Sequence, residues 1–134
     1  MTHLLDTNSC IDHLRRGAAS KVTARLSFAI PGSVAICSVV AAELIYGAYR
    51  SAQPARALQE VASFCGQFTS LPFDDPAADQ YGLIRAHLTK LGTSIGPNDL
   101  LIAAIALAND LTLVTHNTNE FSRVPGLRIE DWLL

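Results

Sequence analysis

Short apolar runs alternate with longer stretches of mixed polarity along this chain, and the alternation predicts both its elements and its fold class. The apolar runs are rich in Leu, Ile and Val and too short for helices, which is typical of strands buried on both faces. Three are clear, at His3–Asp6, Val34–Cys37 and Leu111–Thr115, and two are weaker, at Leu71–Phe73 and Leu127–Ile129. Strands of this kind separated by helices predict an α/β protein with a mainly parallel central sheet covered by helices.

The helices are predicted from capping residues and from apolar positions that recur on one face. Ser38 is expected to cap the helix after the second strand, and the segment from His116 to Glu120 is expected to be a turn. Trp132 is expected to pack the C-terminus against the core. The predicted helices cover residues 7–16, 18–28, 39–50, 54–68, 75–91 and 97–108.

The last of these helices is apolar at almost every position after Asp99, which predicts a helix buried on most sides. Pro97 suits its first turn, because the missing N–H is no loss there. Asp99 then lies in the opening turn, where the positive end of the helix dipole stabilises an anion. A carboxylate in this place is either a cap or a functional group, and the other acids of the chain favour function.

Composition narrows the class of protein. The 134 residues suit one domain, and with 49% hydrophobic and 16% charged side chains we expect residues 1–134 to form a single compact unit. No apolar run approaches the roughly 20 residues of a membrane span, and the N-terminus lacks the pattern of a signal peptide. Three scattered cysteines are typical of reduced thiols in a cytoplasmic protein. A net charge of −2 argues against nucleic-acid binding by bulk charge, so a polyanionic substrate would need local basic groups or metal ions.

Four acids fall where a predicted strand gives way to a loop or helix: Asp6, Glu43, Asp99 and Glu120. Sites in parallel sheets form at the carboxyl ends of the strands, so this fold would bring the four to one rim. Carboxylates that converge in a partly buried site repel one another, and a bound divalent cation resolves the repulsion. Oxygen ligands favour Mg²⁺ or Mn²⁺. Each acid alone has a simpler interpretation, as a helix cap, a surface acid or a turn residue, so the prediction rests on the set.

Polar side chains beside these acids are candidates to orient the carboxylates or to hold metal-bound waters. They are Thr7, Asn8, Ser38, Thr115 and Asn117. His116 is also close in sequence, but we interpret it as a polar turn residue and not as a proton donor.

The motifs around the acids carry a family resemblance that covers the whole chain. They are Leu5-Asp6-Thr7-Asn8, Glu43-Leu44-Ile45-Tyr46-Gly47, Gly96-Pro97-Asn98-Asp99 and Thr115-His116-Asn117-Thr118-Asn119-Glu120-Phe121, followed by Val124-Pro125-Gly126-Leu127 and Glu130-Asp131-Trp132. In this order and spacing they resemble the PIN-domain ribonucleases, specifically the VapC-type toxins of bacterial type II toxin–antitoxin pairs. Glu120 departs from the commonest pattern, because many members carry Asp as the fourth acid.

The resemblance implies a PIN-like three-layer α/β/α sandwich and a metal-dependent endoribonuclease. Asp6 and Asp99 would bind Mg²⁺, which Mn²⁺ can replace, and Glu43 and Glu120 would act directly or through water. One or two ions would activate a water and neutralise charge on the scissile phosphate, leaving 5′-phosphate and 3′-hydroxyl ends.

The resemblance also implies partners. A VapB-like antitoxin would lay its tail in a groove between the N-terminal helices, for which Ile11, Leu14, Val22 and Leu26 are the candidate residues. The toxin would form a homodimer and, with its antitoxin, a larger assembly. The expected substrate is a structured RNA cut in a loop, namely a tRNA in its anticodon region, and the likeness to enteric plasmid-type VapC toxins points to initiator tRNA.

Other families fit less well. A phosphatase of the haloacid dehalogenase type needs a second Asp two residues after the first, and that position is Asn8. A response-regulator receiver needs further acids before its phosphorylated strand and a late Lys, and neither is present. The alternative left open is a catalytically inactive PIN-like module that binds protein or RNA, against which the retention of all four acids argues. Tyr46 and Tyr49 are interpreted as core or interface residues and not as base-stacking platforms.

Overall fold

A five-stranded sheet lies at the centre of the computed structural model, which describes residues 1–134. The strands are β1 (His3–Leu5), β2 (Val34–Cys37), β3 (Thr69–Leu71), β4 (Thr112–Val114) and β5 (Ile129–Glu130). They lie in the order β3-β2-β1-β4-β5, and every pairing is parallel. The predicted α/β class with a mainly parallel sheet is therefore confirmed, and the first strand of the chain is the central one.

The two weaker strands were predicted at the wrong residues. β3 ends at Leu71, which pairs with Cys37 of β2, so the prediction of Leu71–Phe73 was two residues late. Pro72 has no N–H to donate to a ladder, and the strand therefore ends before it. β5 likewise forms two residues after the predicted start at Leu127.

Seven α-helices flank the sheet. They are α1 (Thr7–Arg16), α2 (Lys21–Phe28), α3 (Ser38–Tyr49), α4 (Pro54–Cys65), α5 (Asp75–Leu91), α6 (Pro97–Ala108) and α7 (Thr118–Phe121). A short 3-10 turn, Gly17–Ala19, separates α1 from α2. Six of the seven α-helices were thus predicted in the right places, with differences at their ends, and α7 was predicted as a turn.

The start of α2 is set by a serine cap. The helix begins at Lys21 and not at Ala18 as predicted, because Ser20 Oγ accepts hydrogen bonds from the N–H groups of Val22 (3.1 Å) and Thr23 (3.3 Å). These bonds satisfy two of the donors that the first turn leaves without a partner.

Two further predictions about helix ends are wrong. Ser38 is the first residue of α3 and not its cap, since its hydroxyl donates to the carbonyl oxygen of Leu71 (3.0 Å) on neighbouring β3. The segment from His116 to Glu120, predicted as a turn, contains most of α7, whose backbone closes through the N–H of Phe121 and the carbonyl oxygen of Asn117 (3.2 Å).

The buried helix that the sequence predicted is α6. Residues 102–106 are fully buried, and the helix packs against α5 and β4. Pro97 is its first residue, and Asp99 lies in its first turn. The most apolar helix of the protein therefore begins with a carboxylate at the carboxyl edge of the sheet.

The C-terminus is fixed to the core by Trp132, as predicted. Its side chain is buried, and its Nε1 donates to Glu130 Oε1 over 3.1 Å. The indole ring lies 5.5 Å from the ring of His3, between centroids. No helix combines the length and the hydropathy that a membrane crossing requires.

Candidate active site

Asp6 directly follows β1, the central strand, and is only 4% exposed. It caps α1, because its Oδ1 accepts a hydrogen bond from the N–H of Ser9 (2.8 Å). Burial raises the pKa of this carboxyl and the charge of Glu43 adds to the rise, while hydrogen bonds from Thr115 and Ser9 act in the opposite direction. The capping interpretation of Asp6 is therefore correct, and the same residue is a buried acid.

Glu43 is held at the same edge of the sheet by a contact between two helices. It lies in the second turn of α3, and Thr7 Oγ1 at the start of α1 donates to its Oε1 over 2.6 Å. A single short hydrogen bond thus links the junction of β1 and α1 to the helix that follows β2. The predicted role of Thr7 in orienting a carboxylate agrees with this geometry.

Asp99 and Glu120 form a carboxyl pair that joins α6 to α7. The pKa of Asp99 is raised to about 7, first by burial, then by the charge of Glu120 and the hydrogen bond between the two side chains, and further by Asp6 and Glu43. The N–H of Gly96 donates to Glu120 Oε1 over 2.6 Å, which anchors the pair to the loop before α6. In the absence of a cation, Asp99 therefore holds a proton below about pH 7.

A cavity of about 760 Å³ opens at this edge of the sheet. Asp6, Glu43 and Asp99 lie on its wall, whereas Glu120 does not and joins the group through Asp99. The rest of the wall mixes apolar residues of α1, α3 and α6 with polar ones. The structure thus brings together all four acids that the sequence singled out, with Glu120 behind the other three.

The five polar candidates divide into two groups. Thr7, Thr115 and Asn117 contact carboxylates: Thr7 donates to Glu43, Thr115 bonds to Asp6, and Asn117 Nδ2 donates to Glu120 Oε2. The other two, Ser38 and Asn8, lie on the cavity wall, where Ser38 is bonded to a strand carbonyl and not to an acid. Ser38 thus bonds to no carboxylate here, and its other predicted role, holding a metal-bound water, stays a prediction.

Some features of the site were missed by the sequence analysis. The contact of the Gly96 N–H was not predicted. The sequence signal for this contact was the Gly96-Pro97 pair, which marks the start of α6, where backbone N–H groups lack partners within the helix. Tyr46 and Tyr49 are 62% and 65% exposed, so they are not core residues, and their other interpretation, as interface residues, stays a prediction. His116 points to another acid, with its Nδ1 2.8 Å from Asp131 Oδ2, in agreement with a polar turn residue.

Of the four residues predicted to line a groove between the N-terminal helices, only two line the same cavity. Ile11 and Leu14 line a second cavity, of about 280 Å³, between α1, α3 and α4. Val22 is fully buried and cannot line a groove, and Leu26 lies on a separate cavity beside α2. Ile11 and Glu43 line both this cavity and the acid-lined one, so the two are neighbours.

The donor set fits a divalent metal ion bound together with substrate. No three His, Cys, Asp or Glu side chains are arranged to bind one ion by themselves. Mg²⁺, however, commonly takes one or two protein carboxylates and completes its shell with waters and phosphate oxygens. The buried carboxyl of Asp6 and the partly buried ones of Glu43 and Asp99 around the cavity provide such ligands, and a cation relieves the repulsion that raises the pKa of Asp99.

Comparison with known proteins identifies the family. The profile of the PIN domain matches residues 3–127. The chain is 43% identical, over 129 residues and 96% of each chain, to the tRNA(fMet)-specific endonuclease VapC of Shigella flexneri. It belongs to the VapC family of PIN-domain ribonucleases. Ribonuclease VapC2 of Rickettsia felis is 36% identical over 98% of each chain. Both relatives are named as nucleases, so the predicted enzyme class, an endoribonuclease, is confirmed. PIN-domain ribonucleases in general need a divalent metal ion.

Solved structures of VapC complexes share this fold. DNA-bound VapBC from Salmonella typhimurium superposes with a TM-score of 0.92 at 39% identity and covers 98% of each chain. VapBC2 from Rickettsia felis, bound to a promoter DNA fragment, gives a TM-score of 0.91 at 34% identity and covers 98% of this chain and 99% of that one. The predicted PIN-like three-layer α/β/α sandwich is confirmed.

Proposed function

We propose that this VapC protein is the toxin of a type II toxin–antitoxin pair and hydrolyses structured RNA at the site formed by Asp6, Glu43, Asp99 and Glu120. The observation that carries the proposal is the cavity wall, where three acids meet although burial and mutual repulsion raise the pKa of Asp99 to about 7. The fold gains no stability from such repulsion, so the arrangement favours binding of a cation.

The chain's own residues divide the work of the site. Asp6 and Asp99 bind Mg²⁺, or Mn²⁺ in its place, and Glu43 and Glu120 act on the ion directly or through water. Thr7 keeps Glu43 turned to the cavity. The ion, when bound, lowers the pKa of a water and neutralises charge on the scissile phosphate.

The proposed partner is a VapB-like antitoxin. Several solved relatives are VapBC complexes, one of them described as a member of the VapBC family of toxin–antitoxin systems. The cavity lined by Ile11 and Leu14 borders the acid-lined one at Glu43, which suits an antitoxin tail that crosses from one to the other and reaches the acids. We include in the proposal a single domain over residues 1–134, a homodimer that joins a larger complex with the antitoxin, and action in the cytoplasm.

The proposed substrate is a tRNA cut in its anticodon region. The Shigella flexneri relative is specific for tRNA(fMet), which supports initiator tRNA as the first candidate. A phosphate held among buried carboxylates needs a backbone that bends into the cavity, and loops provide this where regular A-form helices do not. With a net charge of −2, selectivity must come from shape and local contacts and not from bulk attraction.

A metal-reconstitution assay tests the nuclease. The purified protein is expected to cut total RNA with Mg²⁺ or Mn²⁺ and to stop with EDTA. Asp99→Asn should cut more than 100-fold more slowly, on the order expected for loss of one electrostatic catalytic group, and should remain folded because the repulsion with Glu120 is relieved. If Asp99→Asn cuts RNA as fast as the parent, the site assignment is wrong. Metal and RNA binding without any cleavage would favour the inactive module.

Mapping of RNA ends tests the substrate. Sequencing of 5′-phosphate ends after expression should give a dominant cut in the anticodon region of one or a few tRNAs, absent from an Asp6→Ala control. Cuts scattered through mRNA, or confined to ribosomal RNA, would reject tRNA while leaving the nuclease in place.

Co-expression with the adjacent reading frame tests the partner. The two proteins should co-purify, and Leu14→Asp should weaken the complex because it places a charge in the apolar cavity of α1, α3 and α4. Arg16→Asp, on the exposed side of α1, is the control. Monomeric toxin recovered alone from the native operon would contradict both the antitoxin and the homodimer.

A further inference from the structure

A tyrosine with most of its ring in solvent stands on the wall of the acid-lined cavity. Tyr46 is 62% exposed and shares the wall with Asp6, Glu43 and Asp99. It follows Glu43 by three residues on α3, so the two side chains lie on one face of the helix, roughly 4.5 Å apart along its axis. The wall's other aromatic residue, Phe121, is 1% exposed and presents no free face.

Arg50 restrains the Tyr46 ring from the next turn of α3. Its guanidinium carbon lies 5.6 Å from the ring centroid, and its Nη1 donates to the tyrosine hydroxyl over 3.5 Å. A cation placed over an aromatic ring is attracted to its face and limits the ring's rotation. The pair therefore presents a partly oriented aromatic surface and a positive charge within two turns of Glu43.

An aromatic face beside a cation is the combination that proteins use to bind unpaired nucleotides. Bases in loops are unstacked and exposed, and they gain by stacking on aromatic side chains, while the backbone gains from nearby Arg. A phosphate held among Asp6, Glu43 and Asp99 places the adjoining nucleotide within reach of the wall on which Tyr46 lies.

We propose that Tyr46 stacks on an unpaired nucleobase next to the scissile phosphate and that Arg50 keeps the ring in position. This inference rests on the proposed nuclease function. It assigns the carboxylates to the phosphate and Tyr46 to the neighbouring base, so that part of the affinity for a loop comes from a contact that duplex RNA cannot make.

Steady-state kinetics on a hairpin containing the mapped cut site tests the proposal. Tyr46→Leu removes the aromatic face and Tyr46→Phe retains it. Tyr49→Leu is the matched control, because Tyr49 is 65% exposed on the same helix and does not line the cavity. For Tyr46→Leu we expect KM to rise roughly 5- to 150-fold, the range for loss of one stacked base. The change in kcat should be small, because the stack forms in both bound substrate and transition state. Tyr46→Phe and Tyr49→Leu should behave as wild type.

A fluorescent base gives a second readout that loss of folding would not imitate. The hairpin carries 2-aminopurine beside the cut site and is bound to Asp99→Asn protein, in which cleavage is blocked. Stacking quenches the fluorescence, and the quenching should survive Tyr46→Phe and Tyr49→Leu and be lost in Tyr46→Leu.

The outcomes separate this inference from the function on which it rests. If wild-type protein cuts no RNA, the proposed function fails first. If it cuts RNA and Tyr46→Leu retains both KM and quenching, the stacking proposal is overturned. It is also overturned if Tyr49→Leu has the same effect, or if Tyr46→Leu changes the sedimentation coefficient, since Tyr46 would then act at a subunit interface.

Discussion

The proton affinity of Asp99 links the acid site to the stability of the whole fold. Its carboxyl has a pKa of about 7 in the folded protein, against 3.8 for an unperturbed Asp. Between these values the folded chain holds a proton that the unfolded chain has released. By linkage, the free energy of unfolding then falls as pH rises through this interval. The raised pKa of Asp6 acts in the same direction.

Metal-free protein is therefore expected to be less stable at pH 8 than at pH 5.5. The measurement is the urea midpoint in EDTA across this range. Asp99→Asn should show a shallower dependence, because its amide does not titrate. Saturating Mg²⁺ should also flatten the wild-type curve, since the cation replaces the proton as the partner of the carboxylates. An Asp99→Asn slope equal to that of wild type would contradict the origin of the effect.

At the residue scale, the sequence predicted the acids better than their neighbours. Asp6 and Asp99 were recognisable because each follows or opens an apolar element at a predictable edge of the sheet. The hydrogen bond from the Gly96 N–H to Glu120 depends on the distance between the loop before α6 and α7, and tertiary packing sets that distance. The exposure of Tyr46 likewise depends on where α3 borders the cavity, which a helical pattern does not reveal.

At the scale of elements, the loop before α6 lies close to the carboxyl groups of Asp99 and Glu120. A Cβ added at Gly96 would lie 3.5 Å from both Asp99 Oδ2 and Glu120 Oε1. The backbone there has φ −56° and ψ 147°, which any residue adopts. The turn therefore does not require glycine, and an added methyl group would lie at van der Waals distance from both carboxylates.

Gly96→Ala is expected to fold normally and to lose activity on the order of 10- to 100-fold, the scale for small displacements at a reacting centre. The added methyl group would contact both carboxylates and restrict the movement by which they adjust to a bound ion. Gly82→Ala is the control, because no atom lies within 4 Å of its added Cβ in α5. The measurements are the cleavage rates and melting curves of both variants. Wild-type activity in Gly96→Ala would show that the two carboxylates tolerate the added methyl group.

The elements themselves were predicted from periodicity because the sheet is buried and α6 is nearly all apolar. Apart from the short helix α7, which was predicted as a turn, the errors lie at the ends of elements, where a single side chain sets the boundary. Ser20 sets the start of α2 by capping, and Pro72 ends β3 by lacking an N–H. These effects of single residues do not recur periodically, so the pattern of apolar positions cannot predict where an element begins or ends.

For the whole molecule, the charge balance limits how RNA is held. The chain has 10 Lys and Arg against 12 Asp and Glu. Of these basic residues, Arg50 follows α3, lies within two helical turns of Glu43 and contacts Tyr46. Affinity must therefore depend on a few local contacts and on the metal ion, and little on release of counterions.

A shallow salt dependence is the expected consequence. With one to three phosphate contacts, log KM against log salt should have a slope of about 0.7 to 2. The measurement is KM for the hairpin at 50 and 200 mM KCl with free Mg²⁺ held constant. A slope of about 5 or more would instead reveal an extended basic surface, for instance one completed by a second subunit.

The position of β1 at the centre of the sheet has a consequence for how the protein is made. β1 pairs with β4, more than 100 residues later, and the ribosome needs roughly 5 to 20 s to synthesise that interval. The proposed acids are spread in the same way, from Asp6 to Glu120, so a nascent chain carries the first two long before the last. A stop codon anywhere upstream of β4 therefore gives a fragment with neither a complete sheet nor the fourth acid, and the toxin becomes harmful only after β4 and Glu120 have been synthesised.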